Sequence, residues 1–126
     1  MSTPVTRPKY LNLLRIKMPV GAITSIGHRI SGVCLFLCIP VLVYLLDLSL
    51  QAPDQYARVQ VILHWPLVRL VSILAVWALA HHLLAGIRFL LLDLQLGMQQ
   101  STARASAWMV NLGAMIVGLF YAGALL

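Results

Sequence analysis

The chain has 126 residues, 61% of them hydrophobic and 10% charged, with nine basic groups against three acidic ones, a net of +6. So little polar surface cannot cover a soluble domain of this size. The excess of base flanks apolar runs and has no interleaved aromatics, which fits membrane topology better than nucleic acid.

Residues 1–20 read as a polar arm with Arg7, Lys9, Arg15 and Lys17 and no acid. Pro4 and Pro8 discourage helix there, and "YLNLLRIKM" has the pattern of a short surface-lying stretch. The arm lacks the apolar core and cleavage site of a signal peptide, so the first span is expected to act as its own insertion signal.

Three spans follow, predicted at 22–50, 66–92 and 105–126. The first exceeds the roughly 20 residues that cross a bilayer, so tilt or a protruding end is expected, and Pro40 stands where a proline kinks a helix. Pro66 suits the first turn of the second span. Residues 51–64 and "DLQLGMQQSTARAS", residues 93–106, read as loops. Cys34 and Cys38 share a helix face, but two thiols hold no iron–sulfur cluster, and they read as small packing residues. The whole is an all-α, single-domain membrane bundle of three helices over 1–126.

Charge sets the expected orientation. The arm has four bases. The first loop region, with Asp47, Asp54 and Arg58, nets −1. The second, with Arg88, Asp93 and Arg104, nets +1. The positive-inside rule then places the N-terminus and second loop in the cytoplasm.

Ionisable groups inside spans are costly and face a partner, a cavity or a cofactor. Ser25, His28 and Arg29 in "SIGHRISG" share one helix face at spacings of three and four. One reading has Arg29 reaching the headgroups and Ser25 bonding its own backbone. The other makes them an anion or carbonyl site at the membrane boundary. In "HHLLAGIRFLLLD", His81 and His82 point about 100° apart and cannot share a partner. His82 lies ten residues from the end of its span, about 15 Å deep. Neutral imidazole ligates metals, and Ala75, Ala78 and Gly86 along the same stripe leave room either for a flat macrocycle or for close helix packing. Arg29 and His82 fall within about 5 Å of the same depth. Tyr56 and Trp65 read as interfacial belt residues, and His64 is given no role. Ala114, Gly118 and Ala122 form a small-residue stripe on the third span.

Two motifs resemble those of the succinate dehydrogenase cytochrome b membrane anchor family. "RPKYLNLLRIKMPVGAITSIGHRISGV" is similar to its N-terminal signature, and His82, Gly86, Ile87, Arg88 and Asp93 match its His-x3-Gly-Ile-Arg-x4-Asp pattern. The resemblance spans nearly the whole chain. It implies that His82 is an axial ligand of haem b, the second coming from a partner subunit. It also implies that Ser25 and Arg29 line a ubiquinone site and that His28 and Arg29 contact the haem propionates. Implied partners are a second membrane anchor, an iron–sulfur subunit and a flavoprotein, in a bacterial inner membrane. Some relatives carry a histidine where this chain has Phe89, which touches only a propionate or packing contact. A fumarate reductase-type anchor, and a purely structural anchor without haem, are the alternatives.

Overall fold

The computed structural model describes residues 17–125, so most of the basic arm and Leu126 lie outside it. Four helices follow in order: α1 (Val20–Gln51), α2 (Pro53–Leu63), α3 (Pro66–Asp93) and α4 (Gln100–Leu125). Among the described residues there is no strand. Helices α1, α3 and α4 are each long and apolar enough to cross a membrane. The 32 residues of α1 span about 48 Å against a hydrocarbon core of about 30 Å.

One expectation needs correcting. Residues 51–64 are not a loop, because 53–63 form α2. Hydropathy marks where the chain leaves lipid, not where helix ends. The break from α1 is a single extended residue, Ala52 (φ −163°, ψ 159°), and Pro53 and Asp54 then make a favourable first turn. α4 likewise begins at Gln100, five residues before the predicted span, because the polar residues ahead of it are adequate helix formers. The α3–α4 turn uses two left-handed residues, Gln95 (φ 61°) and Gly97 (φ 75°). The glycine tolerates that conformation at no steric cost.

The bundle is organised round α3, which packs on both α4 and α1, while α2 lies mainly against α1. Its buried seam is made of small residues: Ala78 and Ala85 on α3, and Ala107, Ala114 and Gly118 on α4. A Cβ added at Gly118 would stand 3.2 Å from the Trp77 Cβ, so the two backbones approach closely there. The predicted α4 stripe is therefore a helix-packing face at Ala114 and Gly118. Large side chains such as Phe36, Leu42, Leu74, Ile116 and Phe120 point outward, where lipid is their solvent. Cys34 is exposed and Cys38 half-buried.

Candidate functional site: a pair of histidines with opposite tautomers

The buried edge of α1 is formed by Thr24 and Ser31, both fully buried, with Gly27 between them. At 100° per residue His28 lies at the margin of that face, Ser25 further round, and Arg29 roughly 150° from its centre. Exposure follows this order: Ser25 and His28 are half-buried and Arg29 is exposed. The three residues grouped by spacing thus split in the fold. His28 turns into the bundle, and Arg29 faces outward.

His28 meets the second motif directly. Its ring stacks on His82 with centroids 4.1 Å apart and planes 11° apart. Phe89 closes the other side, edge-on to His28 at 5.4 Å. The two motifs thus meet through His28 and His82, and Arg29 takes no part in the contact.

His82 is held by α1. Its Nδ1 lies 3.1 Å from the His28 carbonyl oxygen and 3.3 Å from Ser31 Oγ. The Ser31 hydroxyl donates to that same carbonyl at 2.9 Å, so its oxygen is left to accept. Both neighbours of Nδ1 are acceptors, and Nδ1 must carry the proton. That leaves the Nε2 lone pair uncommitted among the described residues, on a half-buried ring. A ring nitrogen that donates to a backbone carbonyl while its partner stays free is the usual arrangement of a metal-ligating histidine. Gly32 makes the close approach possible, since a Cβ there would sit 3.0 Å from His82 Cε1.

His81 has the opposite tautomer. The Thr24 hydroxyl donates to the Val20 carbonyl at 3.0 Å, so Thr24 Oγ1 accepts from Asn111 Nδ2, also at 3.0 Å. Asn111 Oδ1 then faces His81 Nε2 at 3.1 Å, which must donate. The other nitrogen, Nδ1, is buried without a partner among the described residues. His81 is 3% exposed, with Gly27 2.7 Å from its Cε1 by the same Cβ construction and Trp77 tilted against it at 5.5 Å. Adjacent histidines therefore have separate duties. His81 joins α3 to α4 and α1 through Asn111 and Thr24. His82 presents a free nitrogen at the α1–α3 margin.

Spacing alone does not single out Thr24 or Ser31 or give His81 a partner, and the charge count groups Arg88 with the second loop region. Arg88 lies inside α3 at 8% exposure, its Nε donating to Ser106 Oγ and its Nη2 to the Ala103 carbonyl, each at 3.0 Å. The polar character of Asn111 on an otherwise apolar span was the one signal for the internal network. The stripe drawn through Ala75, Ala78, His82 and Gly86 also divides. Ala78 is in the helix-packing seam at 1% exposure, and the space beside Gly86 is taken by His28. Both small residues thus border close contacts between side chains and helices. His64 caps α2, with Nδ1 2.7 Å from the Gln60 carbonyl.

The family model for the succinate dehydrogenase/fumarate reductase transmembrane subunit matches residues 3–121. The chain belongs to that family. It is similar to the succinate dehydrogenase cytochrome b556 subunit of Coxiella burnetii (strain RSA 493 / Nine Mile phase I), with 39% identity over 105 residues, 82% of this chain and 84% of the relative. It is also similar to the protein of the same name from Paracoccus denitrificans, with 29% identity over 113 residues, 90% of this chain and 87% of that one. The chain is thus a membrane anchor subunit of the succinate dehydrogenase/fumarate reductase family.

Proposed function

We propose that this anchor would hold haem b through His82 Nε2, with a second ligand to the iron supplied by a partner membrane subunit, and would offer ubiquinone a site at Ser25 and Arg29. The observation that carries this reading is the tautomer of His82: Nδ1–H is spent on the His28 carbonyl, and Nε2 has no partner among the described residues. The chain's residues fit the group on that ground, and the relatives named cytochrome b556 subunits support it. His81 supports that role less well, since its Nε2 is bonded to Asn111 and its Nδ1 is buried in the bundle.

Bound at His82, haem would supply a one-electron carrier beside the quinone route. The protein's own part is to hold the imidazole. Ser31 and the His28 carbonyl fix its tautomer, His28 stacks against its face, and Gly32 lets α1 come close. His28, beside His82, and Arg29, one residue on, would bond the propionates. The Ser25 hydroxyl would donate to a quinone oxygen, and Arg29 would stabilise the negative charge that develops there as electrons arrive from the iron–sulfur subunit. Arg29 stands on the outward side of α1, so this site is closed only when partner subunits cover it. The flavoprotein and iron–sulfur subunits dock on the face carrying the N-terminus, the cytoplasmic face of a bacterial inner membrane.

Two variants test the two halves separately. His82→Ala should abolish the low-spin b-type spectrum of the purified complex while the anchor still assembles. A persisting spectrum would remove His82 as ligand, and a wild-type complex without any such spectrum would leave a structural anchor. Arg29→Leu should depress quinone reduction while dye-linked succinate oxidation continues. Unchanged quinone reduction would refute the Arg29 assignment.

A further inference from the structure

Arg88 is a buried cation whose bonds among the described residues go to neutral groups: the Ser106 hydroxyl, the Ala103 carbonyl and, at 5.3 Å, the Phe89 ring. Burying a guanidinium without an anion is expensive, most of all in a bilayer. The chain cannot readily supply the anion. It has three acids in all, and residues 1–16 contain none. Asp47 bonds Gln51 near the far end of α1, and Asp54 bonds Gln55 in α2. Asp93 lies five residues beyond Arg88 and about 140° round α3.

The surroundings are positive as well. Arg88 Nη2 lies beside the first turns of two helices, 3.0 Å from the Ala103 carbonyl of α4 and 3.7 Å from a Cβ placed at Gly21 of α1. Neither first turn contains an acid, and α1 has no side-chain cap. Both helix dipoles add to the field of the guanidinium.

Arg88 also lines a cavity of about 480 Å³ between α3 and α4, walled by Leu84, Leu91, Met109 and Gly113. Exposed side chains on its rim, Ile87, Leu91 and Met109, open it to the bundle surface. Leu84, Arg88 and Leu91 stand about 180–240° round α3 from His82, so the cavity lies on the opposite face from the proposed haem.

We propose that this cavity binds a phospholipid, its phosphate paired with Arg88 at the level of the α1 and α4 first turns and an acyl chain lying along the apolar wall. A phosphate provides the missing anion, and its oxygens accept from guanidinium in paired geometry. The cavity beneath is apolar where a chain would run and charged only where a headgroup would sit.

The test uses the intact complex, stripped of lipid in detergent and then offered phosphatidylglycerol, diacylglycerol with the same chains, or inorganic phosphate, with retention read by native mass spectrometry. Phosphatidylglycerol should be retained. Diacylglycerol or inorganic phosphate retained equally well would overturn the paired arrangement. Arg88→Gln should weaken retention at least about tenfold, the scale of one lost charge-assisted bond, and Arg88→Lys should restore most of it. Should Arg88→Gln fail to assemble, Ile87→Trp fills the cavity from its exposed rim without touching the cation, and it should also expel the lipid. Full retention in Ile87→Trp overturns the proposal. So does an Arg88→Gln complex that releases a partner subunit yet retains its lipid, which would assign the anion to a partner carboxylate.

Discussion

Gly27→Ala adds one methyl group where His81 already stands. A Cβ at that position would lie 2.7 Å from His81 Cε1, closer than real contacts allow, and 3.0 Å from Nε2, which is tight. The ring has little freedom to yield, being 3% exposed, flanked by Trp77 and bonded through Nε2 to Asn111. α1 must therefore retreat from α3, or His81 must release Asn111. Overpacking of this kind costs about 1–3 kcal/mol, and the lost hydrogen bond adds about 1 kcal/mol. A destabilisation of about 2–4 kcal/mol lowers the apparent melting temperature by on the order of 10 °C. Thermal scans of the detergent-solubilised complex measure it. Gly123→Ala is the control, since nothing lies within 4 Å of a Cβ there. A Gly27→Ala complex that melts with wild type would refute the claim that His81 is clamped between α1 and Asn111.

Asn111→Leu should destabilise by about 1–3 kcal/mol, because it leaves the His81 N–H buried without an acceptor. Thr24→Val in the same background should cost much less than it does alone, and strictly additive losses would deny a shared network. Gly32→Ala should tilt His82 off the His28 carbonyl and lower haem retention roughly 10–100-fold at normal anchor abundance, as measured by the haem-to-protein ratio. Gly118→Leu should drive α4 away from Trp77 and reduce assembled complex in the membrane, as read by blue-native gels. Cys34→Ser should change stability by less than about 0.5 kcal/mol, since that side chain is exposed, and a larger loss would place it in an interface.

The sequence by itself determined the three crossings, the helical class and the two motifs that face each other. Hydropathy reports where backbone must satisfy its own hydrogen bonds, and only helix does so within one segment. It could not see α2, because a helix outside the lipid leaves no apolar run. The tertiary structure decided which of two neighbouring histidines keeps an unbonded Nε2 among the described residues. His81 and His82 are chemically identical and differ only in which helix lies 100° round α3. One finds Asn111 on α4, and the other finds a carbonyl and a hydroxyl on α1. The same holds for Arg29 and Arg88. Composition counts each as one positive charge, but packing turns the first outward and closes the second among α1, α3 and α4, where its unmatched charge becomes a demand for an anion.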